Sequence, residues 1–169
     1  MGLRIDQNAC DTFWQAYCAS LPSEHAHRLR LSRPEAFGFC AEHPELVEEL
    51  AQLVVSGRKR ATTSLAIEHT ILGEELPKPG DLSIVVGRDG SPSALIELTH
   101  VENVPFDKVD AEYAAIEGEG DATLETWRRD HIWYFTELSK RLGVEFDGTT
   151  PVVCQIFQMV WPAMHSPTS

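Results

Sequence analysis

The densest set of reactive side chains is the run Ser56-Gly57-Arg58-Lys59-Arg60-Ala61-Thr62-Thr63-Ser64. A glycine and three cations are followed by three hydroxyl residues. Open backbone N–H groups, cationic side chains and hydroxyls in one turn can hold a phosphate or a carbonyl oxygen. The spacing is not that of a P-loop, which needs G-x-x-x-x-G-K-[ST]. Lys59 offers a second chemistry. A lysine becomes a nucleophile when desolvation or neighbouring cations lower its pKa. Arg58 and Arg60 flank it, and Thr62 lies three residues on, able to share a site with it across a turn. An exposed basic turn would read the same way.

A second cluster is acidic: Glu117-Gly118-Glu119-Gly120-Asp121. Carboxylates on a loop bracketed by glycines can approach a ligand closely and serve as acid, base or cation partner. The spacing does not satisfy a calcium loop. A solvated turn with Asp121 near the start of the next helix is the plainer alternative. Arg128 and His131 lie three residues apart one turn further on, within reach of the same cleft as Glu119. A histidine on an apolar stripe can equally be a hydrogen-bonded core residue. Glu97 stands mid-strand in Ala94-Leu95-Ile96-Glu97-Leu98. Turned inward it needs a partner, for which the Lys59 motif is a candidate; turned outward it meets water.

These residues need elements to hold them. Phe13, Trp14, Tyr17 and Leu21 predict an amphipathic helix over 8–21, stopped by Pro22. Residues 22–42 read as loop. Pro44 opens a helix with Leu46, Leu50, Leu53 and Val54 as its buried stripe, and Gly57 ends it. Residues 82–86 and 93–104 read as two strands joined by the turn Arg88-Asp89-Gly90. A short helix near 109–115 is broken by the acidic cluster. Leu124, Trp127, His131, Phe135, Leu138 and Leu142 then trace a long helix, and residues 152–161 a closing strand. The tail 162–169 reads as frayed. The class is α+β.

The chain has 169 residues and 43% hydrophobic content, which suits one core. It lacks an apolar run of the roughly 20 residues that a membrane helix needs, and a signal-peptide core, so a cytoplasmic location is expected. The four cysteines form no C-x-x-C pair and no zinc spacing, so they read as small apolar thiols. A net charge of −12 and a pI near 4.9 argue against tight non-specific binding to phosphate backbones.

The order of motifs resembles the ASCH domain family. Gly57-Arg58-Lys59-Arg60-Ala61-Thr62 resembles its G-x-K-x-x-T signature. Pro79-Gly80-Asp81, Ile96-Glu97, Val104-Pro105-Phe106, the acidic cluster and Trp127-Arg128-Arg129-Asp130-His131 follow in the family's order. The resemblance covers about residues 43–161, with 1–42 as a helical lead packed on the domain. It implies a PUA-like mixed barrel of five to six strands flanked by helices, with roles in RNA or nucleoside processing. Small bacterial members are N4-acetylcytidine amidohydrolases that use a Lys, a Thr and a Glu. Carried over, these are Lys59 as nucleophile, Thr62 as the group activating it and Glu119 as the stabilising carboxylate, with Glu117 able to replace Glu119. Arg58, Arg60, Ser64, Glu97, Glu117, Arg128 and His131 are then expected to bind substrate in a basic cleft, with no metal or cofactor. A metal-independent single-strand ribonuclease and an RNA-binding module with Trp127 or Trp133 stacking on a base are the alternatives, without membrane or DNA partners.

Overall fold

A computed structural model describes residues 3–23 and 33–162. Residues 163–169 of the tail expected to be frayed and residues 24–32 of the loop expected at 22–42 fall outside them. The elements run α1 (Gln7–Ser20), β1 (Ala36–Phe37), α2 (Pro44–Val55), β2 (Ala61–Leu65) and α3 (Ala66–Leu72). There follow β3 (Leu82–Val86), β4 (Pro92–Pro105), a 3-10 turn (Phe106–Lys108), α4 (Ala111–Glu117), α5 (Leu124–Leu142) and β5 (Pro151–Trp161). The five strands form one sheet in the order β1-β3-β4-β5-β2. Among the described residues β1 and β2 share no ladder, so the barrel expected from the resemblance is here an open sheet.

Two compact units divide the chain. The first takes residues up to Gly57, Leu82–Glu97 and those from Gln158 onward. Asp6 caps α1 by accepting from the Ala9 N–H at 3.0 Å. Cys10, Trp14 and Cys18, one turn apart, bury its inner face beside Ile84, Val86 and Leu95. In α2 the buried stripe is Val47, Leu50, Ala51 and Val54. The expected Leu46 and Leu53 are only half-buried, because the helix turns its small Ala51 and Val47 inward instead. The predicted hairpin is present, with Leu82 opposite Glu97 and Ile84 opposite Leu95. Gly90, at φ 80°, makes its turn; a Cβ there would run into the Arg4 carbonyl.

The second unit, Arg58–Asp81 with Leu98–Phe157, carries most of the residues singled out above. Strand β2 pairs antiparallel with β5, setting Thr62 opposite Gln155, Thr63 opposite Cys154 and Ser64 opposite Val153. Side chains alternate across a strand. Ala61, Thr63 and Leu65 therefore share one face, and Thr62 and Ser64 the other. Leu65 belongs to the unit's core with Phe106, Trp127, Phe135, Leu138 and Val152. The long helix α5 reaches that core through Trp127, His131, Phe135 and Leu138, at the predicted spacing. Thr123 caps its start, accepting from the Thr126 N–H at 3.2 Å, and Gly143 ends it in the left-handed conformation.

Candidate functional site

Helix α2 ends at Val55, and the chain turns through Gly57, at φ 77°, into the basic motif. Helix α4 ends at Glu117, where Gly118, at φ 68°, turns the chain away. These two turns meet. The Arg60 N–H donates to the Ile116 carbonyl at 3.0 Å, and the Arg58 guanidinium donates to the Gly120 carbonyl. A Cβ at Gly118 would collide with the Arg58 carbonyl, so glycine is what allows the approach.

The approach encloses Lys59, of which 1% is exposed. Its Nζ donates to Glu119 Oε1 and lies 3.4 Å from Glu117 Oε1. Glu117 is equally buried, while the Glu119 side chain is 25% exposed. Glu117 is held on every side. Its Oε2 accepts from Trp127 Nε1 at 2.6 Å and from Thr63 Oγ1 at 2.9 Å, and its Oε1 lies 3.4 Å from His131 Nε2. His131 Nδ1 in turn donates to the Trp127 carbonyl at 2.9 Å, and its ring stacks on Trp127 at 4.0 Å. Tyr113 donates its hydroxyl to the Thr62 carbonyl at 2.7 Å and lies 3.1 Å from Thr63 Oγ1.

The charges follow from this packing. Burial alone pulls the Lys59 pKa down, but Glu119 and Glu117 outweigh it and hold the group above its ordinary range, as an ammonium. Burial pushes Glu117 up, but Lys59 and His131 outweigh it and keep the carboxyl ionised well below its usual range. Burial lowers His131, and Glu117 more than restores it, so its pKa is raised. Burial pushes Tyr113 well above its usual range, and Cys154, against the same core, up to about 12. The expectation of a lysine activated by neighbouring cations is corrected here. Carboxylates, not Arg58 and Arg60, surround its nitrogen.

The model of the ASCH domain family matches residues 35–161. This chain belongs to the ASCH domain family. A solved ASCH domain from Lactobacillus crispatus JV V101 is 30% identical with a TM-score of 0.84, covering 95% of this chain and 99% of that one. A solved protein from Enterococcus faecalis V583 is also 30% identical, with a TM-score of 0.81 over 97% of this chain and 100% of the other. No curated protein matches the chain. The family is linked to RNA binding and processing.

In this ASCH domain, then, Lys59, Glu117, Glu119 and His131 come together, with Thr63, noted only within the basic run and given no role, and Tyr113, which the sequence did not single out. Thr62 reaches the group through its carbonyl, because its hydroxyl points to the other face of β2. Ser64 shares that other face, where its hydroxyl meets His69 and Gln155. Arg58 fastens the acidic turn, and Arg60 is exposed. Arg128 lies on α5 beside the group but does not join it. Its guanidinium donates to the Asp107 and Val109 carbonyls, each at 3.3 Å. Glu97 falls in the first unit, where it accepts from Gln158 Nε2 at 3.1 Å. Trp127, considered as a platform for a base, is 4% exposed and stacked between His131 and Phe106. Among the described residues no group of three His, Cys, Asp or Glu side chains is set to hold a metal ion. None of the described helices is long and apolar enough to cross a membrane.

Proposed function

We propose that this ASCH domain hydrolyses an amide on a modified nucleoside, with N4-acylated cytidine as the substrate class. The observation that carries the proposal is the Lys59–Glu119 pair, in which a fully buried ammonium is coupled to a carboxylate a quarter of which is exposed. Water attacks the acyl carbon while Glu119 takes its proton. The Lys59 ammonium faces the negative charge that develops on the acyl oxygen and supplies the proton the departing N4 needs. The acyl–nitrogen bond breaks, giving a carboxylic acid and the free amino nucleoside. Glu117 keeps the Lys59 nitrogen in place, and Thr63, Trp127 and His131 keep Glu117 in place.

Water, rather than Lys59, is then the nucleophile. A resting amine would have to lose its proton against the pull of two carboxylates. The ribonuclease alternative asks Lys59 and Arg128 to neutralise phosphate and Glu119 or His131 to move a proton; Lys59 and Glu119 would serve either reaction, so Arg128 and His131 distinguish the two. Arg128 is engaged by two carbonyls and His131 by Glu117, so the amide reading has the better support. Incubation with N4-acetylcytidine, followed by chromatography, tests the proposal, with a single-stranded oligoribonucleotide run in parallel. Release of cytidine by the wild type, and none by Lys59→Met, is the expected result. Cleavage of the oligonucleotide with acetylcytidine left intact would sink it.

A further inference from the structure

Ser64 and Thr63 are consecutive on β2, so they face opposite sides. Thr63 serves Glu117. On the other side, Ser64 Oγ lies 2.9 Å from His69 Nε2, and His69 Nδ1 lies 3.7 Å from Glu74 Oε2. Gln155 Nε2 donates to the same Ser64 oxygen at 3.1 Å. Ser64 Oγ thus has two partners, and its proton is free to be given to His69 when the imidazole carries its own on Nδ1. In that tautomer Nε2 accepts from Ser64 and Nδ1–H is on the side of the Glu74 carboxylate.

We propose that Ser64, His69 and Glu74 form a second reactive centre, a serine nucleophile with its base and the carboxylate that orients the base, acting on carboxylic esters with small acyl groups. Nucleophile and base stand within hydrogen-bond reach, as an activated serine requires, and the carboxylate stands 3.7 Å from the far side of the base, at ion-pair rather than hydrogen-bond distance. The longer 3.7 Å separation is of the kind that tightens when substrate binds.

The fold accounts for the placement. Strand β2 runs directly into α3, which puts His69 five residues after Ser64 and turns it back over the strand. Gly73, at φ 69°, ends α3 in the left-handed conformation, and the Glu74 N–H bonds back to the His69 carbonyl at 2.9 Å. The carboxylate is thereby tied beside the imidazole by main chain. The half-buried position of Ser64 on a strand limits the acyl group to a small one.

In the reaction, Ser64 Oγ attacks the ester carbon and His69 Nε2 takes the hydroxyl proton. The same proton goes to the leaving alkoxide, so an alcohol departs and the acyl group stays on Ser64. Water then attacks, His69 takes its proton and returns it to Ser64 Oγ as the acid leaves. Gln155 Nε2 donates to Ser64 Oγ itself at 3.1 Å, which holds the nucleophile in place.

A fluorophosphonate probe reads the centre without any nucleoside, so its result is separate from that of the amide proposal. Ser64 Oγ bonds to phosphorus, fluoride leaves, and His69 takes the proton. Peptide mass spectrometry of the full chain is expected to find the adduct on Ser64. His69→Gln should slow labelling by roughly 100-fold, the usual range for losing a general base. Glu74→Gln, a change at an exposed side chain that leaves folding intact, should slow it by a smaller factor. Absence of the Ser64 adduct in the wild type, or labelling equally fast in both variants, would overturn the assignment.

Discussion

Trp127 Nε1 donates to Glu117 Oε2 at 2.6 Å, joining the long helix α5 to the carboxylate that anchors Lys59. Both residues are buried, so neither has water to replace the other. Removing one partner leaves the other without its bond. Glu117→Gln keeps the shape but strips the charge that matches Lys59 and His131. Breaking a buried pair in this way costs about 3–5 kcal/mol. The expected outcome is a large drop in the urea midpoint with an unchanged slope.

Glu119 behaves differently because a quarter of its side chain meets solvent. Glu119→Gln should melt within a few degrees of the wild type by circular dichroism. The same change should lower amide hydrolysis by roughly 100-fold or more, as loss of a general base does. The two carboxylates thus separate by experiment, one governing folding and the other turnover.

The acidic turn depends on Gly118. Its φ of 68° and the Arg58 carbonyl against it leave no place for a Cβ. Gly118→Ala should destabilise by about 1–3 kcal/mol from the left-handed backbone alone. Displacing Glu119 from Lys59 would also lower turnover. A thermal melt and the hydrolysis assay on one preparation check both.

Stability should vary with pH in two windows. Glu117 has a depressed folded pKa, so its contribution is full above the ordinary carboxylate value of 4.5 and is lost as pH falls through the lower folded value. His131 has a raised folded pKa, so its contribution is full below the ordinary 6.5 and is lost as pH rises through the higher folded value. Denaturant titrations should show a decline from neutral toward alkaline pH in the wild type. In His131→Gln that slope should flatten.

Much of this arrangement was legible in the residues. The stripe Trp127, His131, Phe135 and Leu138 predicted α5 because apolar periodicity survives in any context. The glycines around Glu117 and Glu119 marked a turn that must approach something closely. The partner of each side chain was harder to read. Thr62 and Thr63 are adjacent hydroxyls, and which one reaches Glu117 depends on the β2 register against β5. A one-residue change of face reverses it. Whether Lys59 is amine or ammonium depends on carboxylates 58 and 60 residues away. Helix α3 was not predicted at all. It has no capping side chain and buries no residue, so it carries no amphipathic pattern. With α3 unseen, the meeting of Ser64 with His69 was unseen too. The two-residue β1 is too short to give an alternation signal.

In the proposed reaction the Lys59–Glu119 pair is the reacting group. The rate of cytidine release from N4-acetylcytidine, measured for wild type and Glu119→Gln at equal folded concentration, tests it most directly. Release by the wild type that falls by roughly 100-fold in the variant is the predicted result. Equal rates in the two proteins, or no release by the folded wild type, would contradict it.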